Sequence, residues 1–533
     1  MYIDTVPNRN SPPAVLLRES VREGKRIRKR TLANLSNWDP ARVEALRRAL
    51  RGEFDHLLDP HPQLGLCFGL LFVLKQIADQ LGITAALGKG RLAKRALFLV
   101  LARPTHGGSR LSAVRWAQQQ AVSEVLGLKP FDEDHLYAAL DDLGVRQEAI
   151  EQSLFRSYLK WRGAPPALFL YDVTSAYLEG EQNELGNWGH NRDGKRGKLQ
   201  IVIGLLADGE GEPLAVRVFE GNTADSTTVA EQIRVVKEQF GVKELVLVGD
   251  RGMVKAPEQQ ALNAQGLHYI TALTDPQVRK LLGEGVLQMS LFAERVAEVE
   301  DKGRRYVLRK NQAEAAREQH RLEDKLAKLK QKVEARNQEV AVKPRCRPEA
   351  GRAELERWCV RHRLERLVRL RLEGRAVVVE KDEAAMERAL LLAGCYVVVS
   401  DVPAALLSTQ QVHDHYVGLQ KVERDFRTLK TGLLEVRPVF LRNKGRTRGH
   451  VLACLLALKL SREMERRLRA VFGTTETNPH TVTLPDALTA MSRLCLLHYR
   501  VDEKTVLTRL PKPDARQEEI LKALQVPLPG QSL

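Results

Sequence analysis

Five short apolar runs constrain this chain more than any other feature. They are Ala167-Leu-Phe-Leu-Tyr-Asp172, Leu199 to Leu206 (LQIVIGLL), Leu214 to Phe219 (LAVRVF), Leu245-Val-Leu-Val-Gly-Asp250 and His268 to Leu273 (HYITAL). Continuous apolar runs of this length suit strands buried on both faces of a sheet. A turn at Asp208-Gly209-Glu210-Gly211 joins the second run to the third, so the first three read as hairpins. Asp225 to Phe240 and Pro257 to Ala264 read as helices on either side of the fourth run. The order predicts an α/β fold with a mixed five-stranded sheet covered by helices.

The flanking segments differ in composition. Residues 1–55 contain a basic hairpin, whose apolar residues Leu17, Val21, Ile27 and Leu35 flank a Glu-Gly-Lys25 turn, and a linker. Its arginines serve equally as a solvated edge that blocks strand pairing or as phosphate contacts. Residues 56–163 read as a helical DNA-binding domain, with stretches at Leu64 to Leu81, Arg91 to Leu101, Leu111 to Leu126, Asp132 to Leu143 and Gln147 to Trp161. The sheet occupies 164–273 and resumes at 403–472, around a basic α+β insertion at 274–402. Within that insertion Lys302 to Arg371 holds 22 Lys and Arg against 10 Asp and Glu. Residues 473–533 read as a helical tail.

The net charge of +17 points to a polyanionic partner, nucleic acid before membrane. No run of 18 apolar residues and no secretion signal stands out, so the expected location is the cytoplasm. The six cysteines are scattered without a Cys-x-x-Cys pair, which suggests neither a zinc site nor a disulfide framework.

His415 to Thr431 (HYVGLQKVERDFRTLKT) reads as one amphipathic helix. Tyr416, Gln420, Glu423, Arg427 and Lys430 stack on one face, while Leu419, Val422, Phe426 and Leu429 form the stripe for a core. An ordinary charged surface accounts for that face taken alone. The chemistry emerges when it is set beside Asp172, ending the first strand, and Asp250, ending the fourth. Strand ends are where ligand-binding side chains meet in such sheets. Three carboxylates without His or Cys make a hard oxygen site suited to Mg²⁺ or Mn²⁺. Two such ions suit phosphodiester chemistry, with Arg427 and Lys430 placed to hold flanking phosphates.

Asp172-Val-Thr, Asp250-Arg-Gly and the late Glu423, in this strand order, resemble the ribonuclease H-like core of bacterial insertion-sequence DDE transposases. The resemblance is to the insertion sequence four superfamily, marked by Tyr, two residues, Arg, three residues, Glu, six residues, Lys. Tyr416, Glu423 and Lys430 fit that spacing; Leu419 stands at the Arg position, and Arg424 or Arg427 would cover its phosphate contact. Gly221-Asn-Thr-Ala-Asp225 and Arg446-Thr-Arg-Gly-His450 are similar to segments of a subgroup of these enzymes. The resemblance implies catalytic, metal-holding Asp172, Asp250 and Glu423, with two Mg²⁺ or Mn²⁺ ions per site. It implies DNA contacts at Tyr416, Arg424, Arg427 and Lys430. A homodimer would bind the element's terminal inverted repeats, cut there and join the freed ends to target DNA. In relatives the insertion can hold a flipped base on Trp; Trp358 is the only Trp in this one, and a buried structural Trp is the competing reading. His450 reads as a helix cap or core partner, and Thr174 and Tyr177 as local packing or site lining.

Three other readings compete. One is a metal-dependent nuclease or resolvase with the same core, and another a catalytically inactive DNA-binding derivative. The third, an RNA-binding scaffold, lacks a stacking pattern of aromatics.

Overall fold

The computed structural model describes residues 1–9, 11–24, 26–53, 62–343, 345–432, 434–474, 481–501 and 504–530. Lys25 of the expected hairpin turn and the expected 55/56 boundary lie outside the described residues. The chain opens with strands β1 (Tyr2–Val6), β2 (Ala14–Glu23) and β3 (Arg26–Asn34), then α1 (Pro40–Leu50) and β4 (Gln63–Cys67). Helices α2 (Gly69–Gln80), α3 (Ile83–Leu87), α4 (Arg91–Ala102), α5 (Arg110–Ala117), α6 (Val122–Leu126) and α7 (Glu133–Arg162) follow. Next come β5 (Leu168–Tyr177), β6 (Gln200–Asp208), β7 (Pro213–Glu220), α8 (Val229–Arg234), β8 (Val246–Gly249), α9 (Ala256–Asn263) and β9 (His268–Ala272). The insertion holds α10 (Asp275–Gly283), β10 (Ala297–Asp301), β11 (Arg304–Lys310), α11 (Gln312–Val342), α12 (Pro348–His362), β12 (Val368–Glu373), β13 (Ala376–Lys381), α13 (Glu383–Leu390) and β14 (Cys395–Ser400). Last are α14 (Thr409–Val417), α15 (Gln420–Lys430), α16 (Lys444–Phe472), α17 (Leu484–Ser492), β15 (Cys495–Val501), β16 (Lys504–Arg509) and α18 (Ala515–Leu524).

Two compact units result. The first comprises Met1–Gln80, Lys89–Leu136 and Leu460–Leu533. In it the expected hairpin is a three-stranded sheet, because β1 pairs with β2 from Tyr2↔Arg18 to Val6↔Ala14. Arg18 donates to Asp4 at 2.8 Å and Arg30 pairs with Glu19 at 2.6 Å, while Arg22, Arg26 and Arg28 stand exposed. The helix expected from Leu64 begins only at Gly69, since residues 63–67 pair as β4 with β15. The tail is therefore not purely helical: β15 and β16 form a hairpin that completes a second three-stranded sheet. Leu71, Leu74, Ile77, Phe98 and Leu101, on α2 and α4, are fully buried in this unit.

The second unit comprises Leu81–Gly88 and Tyr137–Lys459, built on a mixed sheet of order β10-β11-β14-β9-β8-β5-β6-β7. The five expected strands lie side by side as β9-β8-β5-β6-β7. β6 is antiparallel to β5 and β7 to β6, whereas β8 runs parallel to β5 and to β9. The sheet has eight strands rather than five, because the insertion adds β14, β11 and β10 beyond β9. Phe155, Phe169, Tyr171, Val202, Leu247, Tyr269, Leu308 and Val397 belong to one continuous core. Burial on both faces explains why these strands read as unbroken apolar runs. The tip of the insertion has its own core of Leu329, Val333, Leu355, Cys359, Leu364, Val368, Leu370 and Val377, drawn from α11, α12 and the β12–β13 hairpin.

The two helices expected at 132–143 and 147–161 are one helix, α7. Gly144 sits in its middle, where a Cβ would lie 2.2 Å from the Gly445 carbonyl oxygen of α16. A Cβ on Gly449 would lie 2.0 Å from the Leu140 carbonyl oxygen. Gly144 thus permits a close helix crossing, at a propensity cost of about 1 kcal/mol. Among the described residues no helix is long and apolar enough to cross a membrane.

Candidate active site

Asp172 lies inside β5 rather than at its end. β5 pairs with β6 as far as Tyr177↔Gln200, but its pairing with β8 stops at Tyr171↔Gly249. Asp172 and Asp250 are therefore the next residues on two adjacent parallel strands, at the point where β8 leaves the sheet. Neighbouring strands run about 4.8 Å apart, and residues in parallel register point to the same face. Gly252, with φ +86°, turns the chain away after Asp250-Arg251. That left-handed conformation suits glycine. The Asp250 carbonyl accepts from the Thr271 hydroxyl at 3.1 Å, tying the turn to β9.

Glu423 reaches the same place from α15, which packs against β5. Val422, Phe426 and Leu429 are buried in that packing as the apolar stripe requires, together with Asp425, and Glu423 is exposed in the first helical turn. A carboxylate there is favoured by the helix dipole. The single helix expected over 415–431 is two helices. Gly418 and Leu419 form a tight turn between α14 and α15, with the Leu419 N–H bonded to the Tyr416 carbonyl three residues back. Leu419, at the expected Arg position, is 5% exposed and belongs to the core.

Electrostatics tie the three acids together. The Asp172 carboxyl is pushed up from 3.8 to about 7, first by burial and then by the charges of Asp250 and Glu423. A bond from the Val173 N–H at 2.7 Å and the charge of Arg192 pull the other way. The Tyr416 hydroxyl donates to Asp250 Oδ1 at 3.3 Å, and burial together with Asp250 and Glu423 raises its proton affinity. Like charges held this close disfavour full ionisation unless a cation joins them. Among the described residues no group of three or more His, Cys, Asp or Glu is placed to hold a metal ion. Asp250 and Glu423 are exposed, and both act on Asp172 through their charges. Carboxylates of this kind suit a hard divalent ion, because Mg²⁺ is commonly held by one or two carboxylates with substrate phosphates and water completing its shell.

The expected cations separate. Arg424 and Arg427 are exposed on α15. Lys430 does not present a free ammonium: it bonds Asp193 Oδ1 at 2.8 Å, and burial lowers its proton affinity. Arg437 reaches the same oxygen at 2.5 Å, while Asp193 Oδ2 accepts the Tyr177 N–H. Asp193 and Arg192 escaped the sequence reading. The only local signal was the turn-forming, basic stretch Asn191-Arg-Asp-Gly-Lys-Arg-Gly-Lys198. Trp358 is far along the chain in the insertion tip, half-buried and tilted against His362 at 4.0 Å. It lines a hollow of about 630 Å³ with Lys332, Arg336, Arg357 and Arg361. His450 is buried against the Val436 carbonyl as a core partner.

The chain matches the family model of the transposase DDE domain over residues 163–460, more than half its length. It belongs to the DDE transposases. The matched span contains Asp172, Asp250 and Glu423, and residues 3–59 match the N-terminal domain of IS1634 family transposases. The chain is thus a DNA transposase of the insertion-sequence type. Comparison with curated proteins gives no match. Among solved structures it is similar to a piggyBac transposase in a synaptic complex with hairpin DNA. The two are 10% identical with a TM-score of 0.38, over 80% of this chain and 78% of that one.

Proposed function

We propose that this transposase binds the terminal inverted repeats of its own element as a homodimer, hydrolyses a phosphodiester at each end and transfers the freed 3′-hydroxyl to target DNA. Asp172, Asp250 and Glu423 hold the catalytic ions, two Mg²⁺ or Mn²⁺ per site. The parallel register Tyr171↔Gly249, which sets Asp172 and Asp250 side by side beneath the helix that carries Glu423, carries this reading, and the raised proton affinity of Asp172 agrees with it. Such ions, when bound, favour an activated water or 3′-hydroxyl and stabilise the departing oxygen. The Val173 N–H fixes the Asp172 carboxylate, and the Tyr416 hydroxyl fixes that of Asp250. Arg424 and Arg427 take phosphates of the bound end. The strand order β7-β6-β5-β8-β9 supports a ribonuclease H-like core extended by the insertion.

The basic N-terminal sheet, the helices up to Arg162 and the insertion tip, including Trp358, are proposed as DNA-binding regions. A labelled inverted-repeat end incubated with the protein, target DNA and Mg²⁺ tests the function. Strand-transfer products that vanish in Asp172→Asn support it. Cleavage without joining would favour a nuclease, and binding without nicking would favour an inactive derivative.

A further inference from the structure

The loop of residues 187–198 is bound down at several points. Asn187 pairs with Gln200 at the end of β6. The Arg192 N–H donates to Ser175 Oγ at 2.9 Å, and the Tyr177 N–H donates to Asp193. These two contacts lay the loop across the part of β5 that β8 has left uncovered. The Asp193 side chain is 2% exposed yet meets two cations, Lys430 from α15 and Arg437. A buried carboxylate among paired cations is costly to break, and it joins the loop to the helix that carries Glu423. Arg192 contacts Asp225 at 2.5 Å while its charge is felt at Asp172. That ion pair is partly exposed, so it contributes little and exchanges readily for a stronger anion. Lys195 and Arg196 follow in the exposed arc, and Lys195 lies over the Tyr177 ring at 5.8 Å.

We propose that this loop is a strap for the DNA strand being cut: Arg192 contacts a phosphate beside the scissile bond, and Asp193, through Lys430 and Arg437, is the positioning residue that holds it there. The proposal rests on the assignment of Asp172, Asp250 and Glu423 as the active site. It gives Lys430 a role in holding the strap instead of touching DNA. Guanidinium groups suit this position because they bind phosphate through two parallel hydrogen bonds.

Neutral methylphosphonates, placed one at a time at the phosphates flanking the cut in a labelled end, test the contact. Single-turnover cleavage and end affinity are measured for the full-length protein with Mg²⁺. Arg192→Gln is expected to slow cleavage about tenfold or more with affinity changed less than about threefold, and Arg192→Lys to recover part of the rate. One methylphosphonate is expected to slow the native protein by a similar factor and to add nothing to Arg192→Gln or Asp193→Asn. A structural defect would not produce dependence on a single phosphate. Equal losses at every phosphate, or native cleavage by Arg192→Gln, would overturn the strap. Asp172→Asn is run in parallel: if that variant still cleaves, the active-site assignment itself has failed.

Discussion

Where β8 stops, three acids crowd together and burial makes Asp172 hold its proton to about pH 7. At the insertion tip, Lys332, Arg336, Arg357 and Arg361 surround a hollow with only Glu339 and Glu354 among them. The first region gathers one sign of charge around the largely buried Asp172 carboxyl, with the exposed Asp250 and Glu423 acting on it from a strand end and a helix. The second spreads the other sign over the surface of a small lobe with a core of its own. Concentrated, desolvated charge raises affinity for a counter-ion and suits chemistry. Dispersed, solvated charge gives affinity for a polyanion that salt weakens. The two regions should therefore fail differently when altered.

The largest expected effect is at the acids. Asp172→Ala, Asp250→Ala and Glu423→Ala should each reduce cleavage by about 10³-fold or more while end binding in a gel-shift assay changes little. The next change tests whether the lobe stands on its own core. Leu329 is fully buried there, and Leu329→Ala should cost about 2–5 kcal/mol, seen as faster hydrogen exchange in α11 and α12 with β5–β9 unaffected. Uniform loss of protection across both regions would erase the distinction. Replacing Arg336, Arg357 and Arg361 together by Ala should lower end affinity and reduce the slope of log K against log salt by about 3, with cleavage at saturating protein unchanged.

The smallest expected effect is on stability against pH. Because the folded-state value for Asp172 is raised from 3.8 to about 7, the native state binds more protons than the unfolded chain between those values. Stability of the metal-free protein should fall as pH rises through that window, by roughly 1–3 kcal/mol after allowing for solvent screening, and level off above it. Asp172→Asn should flatten the profile in denaturant titrations. A rise in stability across the same window would contradict the origin of the shift.

The five core strands were legible because both their faces are buried, so their sequences are apolar throughout. The added strands were harder to read. β10 (AEVED) alternates charge with apolar residues at the rim of the sheet, β11 (RRYVLRK) reads as a strand only over Tyr306 to Leu308 between charged ends, and β14 (CYVVVS) is separated from them by the whole insertion tip. The division of 415–431 into two helices was hidden because Gly418 and Leu419 keep near-helical dihedrals while tightening the hydrogen bonding. Asp172, Asp250 and Glu423 were singled out from the ends of apolar runs and from helical spacing, although Asp172 lies inside β5. Asp193 was not, since a turn residue gives no local sign that it pairs with a lysine 237 positions away. The Leu419 position shows the reverse case: a family spacing suggests a cation, and the fold uses a core residue.

The central claim, that three acids from distant parts of the chain share divalent ions, is tested most directly by anomalous scattering from Mn²⁺ in crystals of the protein bound to its end DNA. The account predicts metal peaks bonded to carboxylate oxygens of Asp172, Asp250 and Glu423. Peaks bonded to other residues, with these three carboxylates left without metal, would contradict it.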